Sequence, residues 1–181
     1  ISKFSLCDER TIFKLFKPFM IASILITNYN KGAYLKEAIC SCLNQDFENF
    51  EVLLIDDGST DNSKDIIEQF KEIENFRYLL NTNQGIVNTR NEGVLACRGE
   101  FILQLDGDDK LGKDFLKLTV PILRNDNNVG IAYCKTSFFG EKKGIWDLGE
   151  FSLEKQLVTN QIVITSLFRK DDFLRTKGLL A

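Results

Sequence analysis

Histidine is absent from the 181-residue chain. Its absence excludes Ser-His-Asp and Cys-His catalysis and every metal site that needs an imidazole ligand. Only 2 prolines occur, which argues against proline-rich recognition tracts and linkers. No apolar run approaches the roughly 18 residues of a membrane-spanning helix, and the longest one, Phe19 to Ile26, has the length of a strand. The chemistry left is that of carboxylates, hydroxyls, amides and basic side chains.

Cysteine is present in an odd number, 5, without the paired spacing of a metal site. This usage predicts free thiols in a reducing compartment. Two of them stand two residues apart in a helical pattern, so they should point to different faces. We expect all of them to act mainly as small core hydrophobes; they are Cys7, Cys40, Cys42, Cys97 and Cys134.

The charge balance is mildly acidic. Lysine and arginine number 23, aspartate and glutamate 26, and the net charge is −3. Because binding to duplex nucleic acid requires a basic face, we expect no nucleic-acid partner. Hydrophobic residues make up 44% of the chain, which suffices to bury the core of one domain.

Residues 1–20 do not match the pattern that follows them. The stretch from Glu9 to Phe19 mixes basic and apolar side chains, and the only methionine is Met20. Such a segment could contact an anionic membrane surface, which would place a cytoplasmic protein at the inner face of the membrane. We favour one of two simpler interpretations of residues 1–20, an N-terminal docking extension or translated upstream sequence that is not native, followed by one domain over residues 21–181.

From residue 21 onward, strand-like and helix-like segments alternate. Continuous aliphatic runs predict strands buried on both faces, and apolar residues spaced by three and four predict helices. The predicted strands cover 21–27, 52–55, 76–80, 101–105, 129–139 and 161–168; the predicted helices cover 34–43, 87–97, 113–124 and 170–176, with a further helix capped by Ser59 or Thr60 and a loop over 140–160. The alternation predicts an α/β fold with a Rossmann-like, mostly parallel sheet and helices on both faces.

Polar clusters follow three of the predicted strands. They are Thr27-Asn28-Tyr29-Asn30, Asp56-Asp57-Gly58-Ser59 and Asp106-Gly107-Asp108-Asp109. Open parallel sheets bind ligands at this edge. Five carboxylates would repel one another there unless a cation or hydrogen-bond donors lay among them, and oxygen ligands alone suit Mg²⁺ or Mn²⁺ bound to phosphate. One such cluster is usually a turn or a helix cap; three together favour a site.

Four segments resemble the motifs of the family 2 glycosyltransferases. In chain order they are Ser23–Asn30, Asp56–Asp61, Asn83-Gln84-Gly85 with Thr89-Arg90-Asn91, and Leu105–Asp109, which resembles the family's metal-binding Asp-x-Asp motif. The match extends over roughly residues 21 to 116. The resemblance implies a GT-A fold, a nucleotide-sugar donor and a divalent cation, Mn²⁺ or Mg²⁺.

The resemblance also implies roles for individual side chains. Thr27 and Tyr29 would line the pocket for the base, with Tyr29 packed against it. Asp57 would accept a hydrogen bond from the base, with the imide N–H of uracil as the first choice, while Asp56 supports the loop. Arg90 would contact the diphosphate or hold the acidic edge together, and a surface salt bridge is the alternative.

For the Asp-x-Asp-like segment, the resemblance implies metal binding. Asp106 would reach the ribose or the metal, and Asp108 would ligate the metal. Asp109 would contact the sugar or support the metal ligands. The cation would neutralise charge on the departing nucleoside diphosphate.

The sequence departs from the family pattern near Ala181, where the chain stops before an acidic motif that supplies the general base in the family. We therefore expect a domain that is incomplete at its C-terminal acceptor side, and we assign no base. An incomplete sheet would also favour self-association through exposed core residues. The carboxylates late enough to be considered as a base are Glu141, Asp147, Glu150, Glu154, Asp171 and Asp172.

Three hypotheses of function remain. The first is transfer of a sugar from a nucleotide sugar, with a UDP-sugar preferred, to a hydroxyl of a saccharide or lipid-linked acceptor. The second is a domain that binds the donor and transfers poorly or not at all. The third, a nucleotidyltransferase of related architecture, is disfavoured because Asn28–Gly32 contains a single glycine. A dehalogenase-type phosphatase would need Asp in place of Ile55, and a P-loop nucleotidase would need a Gly-Lys-Ser/Thr loop.

Overall fold

The computed structural model describes residues 20–140, 142–146 and 149–179. The extension predicted over 1–20 therefore lies outside the described residues except for Met20. Cys7 and two of the candidate bases, Glu141 and Asp147, also lie outside them.

Strands and helices alternate along the described part of the chain. The strands are β1 (Ala22–Asn28), β2 (Phe50–Asp56), β3 (Phe76–Leu80), β4 (Phe101–Asp106), β5 (Ile131–Tyr133), β6 (Thr136–Phe138), β7 (Gly144–Trp146) and β8 (Ser166–Arg169). The helices are α1 (Gly32–Leu43), α2 (Ser63–Glu68), α3 (Ile86–Ala96), α4 (Phe115–Asn125), α5 (Leu153–Gln156) and α6 (Lys170–Arg175).

Six of these strands form one sheet in the order β3-β2-β1-β4-β8-β5. The four strands from β1 to β4 run parallel to one another, and β8 runs antiparallel to both β4 and β5. Thr27 of β1 lies beside Ile55 of β2 and Asp106 of β4. The C-terminal ends of these three strands are therefore level at one edge.

The sheet has a hydrophobic core on each face. Ile24 and Ile26 of β1 belong to a large core that includes residues of α1, α2 and α4. Leu25 belongs to a smaller core with Val94 of α3, against which Phe173 of α6 packs. Because successive strand residues point to opposite faces, a continuously apolar strand supplies both cores at once. The predicted α/β sheet with helices on both faces is confirmed.

Residues 129–139 do not form the single strand that was predicted. β5 joins the six-stranded sheet, and β6 pairs with β7 in a separate antiparallel hairpin. The segment between them, 134–135, lies in neither strand. The predicted loop over 140–160 likewise contains β7 and α5, and the late strand begins at Ser166 rather than at Gln161.

The cysteines do not all act as core hydrophobes. Cys42 and Cys97 are buried, but Cys40 is exposed and Cys134 is half-buried. The prediction for Cys40 is wrong because Cys42 occupies the face of α1 that meets the core, and a residue two positions earlier on a helix points elsewhere. Burial raises the pKa of both Cys42 and Cys97 to about 12, so these thiols stay protonated at neutral pH.

Candidate functional site

A cleft of about 390 Å³ opens at the C-terminal ends of β1, β2 and β4. We call it the strand-end cleft. Six of the seven predicted site residues line it: Thr27, Tyr29, Asp57, Arg90, Asp106 and Asp108. The remaining lining residues are Asn28, Lys31, Asn83, Gly85, Ile86, Thr89 and Gly107. The structure thus brings together residues from all four motifs.

A second cleft, of about 1020 Å³, adjoins the first. The seventh predicted residue, Asp109, lines it together with four aromatic side chains, Tyr34, Phe138, Phe139 and Trp146. We call it the aromatic cleft. Lys31, Asp106 and Asp108 line both clefts, so the acidic segment after β4 separates the two.

The loop after β1 is fastened to the loop after β2 by side-chain hydrogen bonds. The Ser59 hydroxyl donates to Oδ1 of Asp56 at 2.6 Å and accepts from the backbone N–H of Asn30 at 2.8 Å. Nδ2 of Asn28 donates to Asp56 Oδ1 at 2.6 Å. The expected role of Asp56 as a loop support is confirmed.

Ser59 and Thr60 do not cap the following helix as predicted. α2 begins at Ser63 after Asn62, and the Ser59 hydroxyl is already engaged between the two loops. Oδ1 of Asn30 accepts from the backbone N–H of Thr60 at 2.7 Å. Ser and Thr can form several kinds of local hydrogen bond. Here both residues make hydrogen bonds to Asn30 in the loop after β1 instead of capping α2.

Asp57 connects the loop after β2 to the start of α3. Its Oδ1 accepts from the backbone N–H of Gln84 at 2.9 Å, and its Oδ2 accepts from that of Gly85 at 3.0 Å. The side chain is only 4% exposed. Each carboxylate oxygen can accept more than one hydrogen bond, so this role leaves acceptor capacity toward the cleft.

Gly58 allows the loop after β2 to approach the segment that precedes α3. Its φ of +78° lies in the left-handed region, and a Cβ added there would stand 2.7 Å from the backbone nitrogen of Asn83. Both the backbone conformation and the contact favour glycine.

Arg90 forms an ion pair within the cleft. Its Nη2 lies 2.7 Å from Oδ1 of Asp106, and the same oxygen accepts from the Thr27 hydroxyl at 3.3 Å. Nε of Arg90 is buried and has no hydrogen-bond partner among the described residues. The Arg90 side chain is only 17% exposed, so this is not the surface salt bridge considered as the alternative. This contact joins Arg90 to one carboxylate of the acidic edge; its two predicted roles, toward the diphosphate and toward that edge, stay predictions.

Lys31 neutralises the next carboxylate along the chain. Its Nζ lies 2.7 Å from Oδ2 of Asp108. This hydrogen bond and the attraction of Asp108 raise the pKa of the Lys31 ammonium. The sequence analysis missed Lys31, because no local pattern indicates a pairing between residues that far apart in the chain.

Asp109 is the carboxylate without a cationic partner of its own in this segment. Burial, followed by repulsion from Asp106 and Asp108, raises its pKa.

Tyr29 stands at the mouth of the strand-end cleft with 47% of its surface exposed. An exposed ring at a cleft is available for packing against a planar ligand.

The five predicted carboxylates do not form one cluster. Asp56 and Asp57 are hydrogen-bonded to the loops around them, whereas Asp106, Asp108 and Asp109 remain together after β4. Among the described residues, no three Asp, Glu or Cys side chains converge as a ready-made metal cage. The hydrogen-bond donors expected to relieve the repulsion among these carboxylates are therefore backbone N–H groups and basic side chains.

The acidic segment nevertheless fits a divalent cation of the kind predicted. Asp106 and Asp108 each have one oxygen engaged by a basic side chain and one further oxygen with no hydrogen-bond partner among the described residues. Mg²⁺ is usually held by one or two carboxylates, with phosphate and water oxygens completing the shell. Two carboxylates at the rim of a cleft match that donor set.

The candidate bases do not reach either cleft within the described part of the chain. Glu150, Glu154, Asp171 and Asp172 line neither one. Asp172 lies near Arg175 and Arg169 instead. In the described ranges, no helix has the length and hydropathy needed to span a membrane.

Comparison with known proteins gives a consistent result. Residues 23–177 match the family model described as glycosyl transferase family 2. A β-1,3-glucosyltransferase of Campylobacter jejuni, named for a GalNAc(5)-diNAcBac-PP-undecaprenol substrate, is 31% identical over 158 residues, covering 86% of this chain and 48% of the relative. The glycosyltransferase named EpsH of Bacillus subtilis, itself described as putative, is 38% identical over 94 residues, which is 51% of this chain and 27% of the relative.

Solved structures show the same fold. TarS of S. aureus in complex with UDP superposes with a TM-score of 0.73 at 24% identity, covering 87% of this chain and 49% of that one. The mannosyltransferase PcManGT of Pyrobaculum calidifontis, in complex with GDP-Man and Mn²⁺, superposes with a TM-score of 0.68 at 17% identity, covering 94% of this chain and 53% of that one. The fold is the GT-A fold of these enzymes. The chain spans about half or less of the length of each of these four proteins.

Proposed function

The chain belongs to glycosyl transferase family 2, and on that premise we propose that it binds a nucleotide sugar in the strand-end cleft and transfers the sugar to an acceptor hydroxyl. The observation that carries the proposal is the convergence of Thr27, Asp57, Arg90, Asp106 and Asp108 on one cleft of about 390 Å³. Clefts of this size, with a few convergent polar groups, are typical of small-ligand sites.

The base of the nucleotide is assigned to the part of the cleft between β1 and β2. Asp57 offers carboxylate oxygens that are fixed in place by Gln84 and Gly85, and Tyr29 offers an exposed ring. A fixed acceptor beside an aromatic face suits the imide N–H of uracil, so a UDP-sugar is the preferred donor. TarS has been solved with UDP and with UDP-GlcNAc, which supports this choice.

The diphosphate is assigned to the acidic segment after β4 and to the two basic side chains that face it. Asp106 and Asp108 would hold Mn²⁺ or Mg²⁺, which supplies positive charge to the departing nucleoside diphosphate. Arg90 and Lys31 lie within reach of the same segment and can donate hydrogen bonds to phosphate oxygens. PcManGT has been solved with GDP-Man and Mn²⁺.

The acceptor is assigned to the aromatic cleft, on the other side of Asp106 and Asp108. Its rings suit a saccharide, because sugar rings present apolar C–H faces to aromatic surfaces. A saccharide or a lipid-linked saccharide is the proposed acceptor class. The Campylobacter jejuni relative is named for a substrate linked to undecaprenol through a diphosphate.

A second candidate function is donor binding without efficient transfer. It is favoured by one observation: among the described late carboxylates, Glu150, Glu154, Asp171 and Asp172 lie outside both clefts. Inverting sugar transfer requires a group that takes the proton of the acceptor hydroxyl. Release of UDP from a UDP-sugar in the presence of saccharide acceptors separates the two candidates.

The test of donor binding is calorimetric titration with UDP, with and without Mn²⁺. We expect UDP to bind more tightly when Mn²⁺ is present. Asp108→Ala should weaken Mn²⁺-dependent binding by at least about tenfold, since even groups around metal ligands are typically worth 10- to 100-fold in affinity. Asp65→Ala, which removes an exposed carboxylate in the first turn of α2, should bind as the wild type does.

The outcome that contradicts the proposal is a folded wild-type chain that binds neither UDP nor GDP in the presence of Mn²⁺. Binding of GDP in place of UDP would retain the site and change the assigned base. Circular dichroism of each variant establishes that it is folded.

A further inference from the structure

Lys31 is the basic residue that stands between the two clefts. Its Nζ lies 2.7 Å from Oδ2 of Asp108, and the two side chains are 45% and 35% exposed. It lines the strand-end cleft and the aromatic cleft alike. The pair therefore sits where nucleotide phosphates and a metal would meet, with solvent access to both partners.

The backbone that carries Lys31 is held rigidly. Asn30, immediately before it, has a φ of +53° and is anchored by Ser59 and Thr60. Gly32, immediately after it, donates its backbone N–H to Oδ2 of Asp61 at 2.8 Å. The position of the Lys31 main chain is thus fixed, while its half-exposed side chain can exchange one partner for another by rotation about its own bonds.

Charges in the cleft nearly balance when no ligand is bound. The strand-end cleft is lined by three carboxylates, those of Asp57, Asp106 and Asp108, and by the two cationic side chains of Lys31 and Arg90. A divalent cation arriving alone would meet little net negative charge and would have to compete with the Lys31 ammonium for Asp108. A nucleoside diphosphate adds negative charge and offers the ammonium phosphate oxygens in exchange for Asp108.

From this arrangement we propose that Lys31 is a positioning residue that makes binding of the divalent cation depend on the nucleotide. In the ligand-free protein its ammonium holds Asp108; when the nucleotide binds, the ammonium moves to the diphosphate and releases the carboxylate to the cation. This inference rests on the proposed function and extends it, because it assigns the order of ligand binding to one side chain.

The test measures binding rather than turnover. Free Mn²⁺ is quantified by electron paramagnetic resonance in titrations of the wild type and of Lys31→Met, each with and without saturating UDP. Without UDP, Mn²⁺ should bind about threefold to fivefold more tightly to Lys31→Met, which is the range expected for the loss of a competing half-exposed ion pair. The factor by which UDP increases Mn²⁺ affinity should fall by roughly tenfold in the variant, because UDP also loses the ammonium as a partner.

Two variants keep the test specific. Lys110→Met removes one positive charge from the segment after β4, but Lys110 pairs with Glu37 and lies over the ring of Phe139, so its Mn²⁺ binding should equal that of the wild type. Lys31→Arg retains a cation in reach of Asp108 and should restore most of the dependence on UDP. Lys31→Arg also shows whether the loop after β1 tolerates substitution.

Two results overturn the inference. If Lys31→Met binds Mn²⁺ with unchanged or lower affinity and keeps the full effect of UDP, the contact with Asp108 is an ordinary surface ion pair. If the wild type itself binds neither Mn²⁺ with UDP nor UDP with Mn²⁺, the proposed function falls and this inference falls with it. The wild-type titration alone distinguishes the second result from the first.

Discussion

Ser59 illustrates how one small side chain can fix two segments of chain at once. Its hydroxyl accepts from Asn28 and Asn30 while donating to Asp56. The motif that contains Ser59 therefore holds the loop after β1 against the loop after β2. Asp57 of the same motif lines the strand-end cleft.

Replacement of Ser59 should loosen both loops. We expect Ser59→Ala to lower the free energy of unfolding by about 1–2 kcal/mol, because partly buried hydrogen-bonding groups lose their partner. UDP affinity should fall as well, since Asn30 and Lys31 lose an anchor. Thr60→Ala is the matched control, because the Thr60 hydroxyl makes one longer contact, 3.3 Å to Asn30. Urea unfolding measures the free energy of unfolding of both variants. Equal losses in the two would show that the hydroxyl of Ser59 has no special role.

The sequence predicted which motif residues come together at one edge of the sheet but not how they pair. Their roles in binding a ligand stay predictions. Thr27, Tyr29, Asp57, Arg90, Asp106 and Asp108 were placed together because their motifs follow strands whose order and direction can be predicted. The pair of Lys31 with Asp108 was missed, and the capping role of Ser59 was wrong. Both errors concern long-range hydrogen bonds, which leave no periodic pattern in the sequence.

At the scale of elements, β8 and α6 fasten the C-terminal ends of two helices. The guanidinium of Arg169 donates to the backbone carbonyls of Leu123, Asp126 and Val129 at and beyond the end of α4. The ammonium of Lys170 donates to those of Leu95 and Cys97 at the end of α3. Basic groups at helix C-termini satisfy open carbonyls and oppose the helix dipole. Two adjacent residues thus stabilise helices on opposite faces of the sheet.

Loss of the hydrogen bonds that the Arg169 guanidinium donates at the end of α4 should lower the stability of the protein. We expect Arg169→Met to lower the free energy of unfolding by about 2–3 kcal/mol, since hydrogen bonds to charged groups contribute more than neutral ones. Arg175→Met is the matched control, because Arg175 is 77% exposed and pairs only with Asp172 in the described contacts. Urea unfolding at neutral pH measures the difference. A loss for Arg169→Met no larger than that for Arg175→Met would contradict the capping role.

Elements were predicted well where burial is uniform. β1, β2 and β4 are buried almost throughout and mostly apolar, and their positions were predicted to within one or two residues. The region from 129 to 168 was predicted less accurately because its segments are short and mostly exposed. There, hydrophobic pattern carries little information about which sheet a strand joins.

At the scale of the whole molecule, apolar exposure is uneven. Leu95 of α3 and Leu118 of α4 are 64% and 60% exposed, but Ile145, Leu153, Leu157 and Val158, in the segment of chain between β6 and β8, reach 67%, 66%, 81% and 84%. Exposed apolar groups of this kind are typical of surfaces that contact another molecule. Self-association stays a prediction, and the four residues between β6 and β8 give it a surface at which it can be tested.

We expect the chain to self-associate in a concentration-dependent manner. The double substitution Leu157→Ser and Val158→Ser should shift the equilibrium toward monomer, because it removes the two most exposed aliphatic groups. Leu118→Ser with Ile122→Ser, on the exposed face of α4, should have little effect. Sedimentation velocity over a concentration series measures this; a wild-type monomer at every concentration would refute the expectation.

The position of β8 in the sheet has a consequence for biosynthesis. β5 is hydrogen-bonded to β8 and to no other strand of the described sheet, and β8 alone connects it to β4. A ribosome therefore completes β5 more than thirty residues before the strand that β5 needs. Until residues 166–169 emerge, β4 is an open edge of the kind that pairs promiscuously. The nascent chain must keep that edge unpaired for this interval, and a chaperone that shields one strand edge would serve this need.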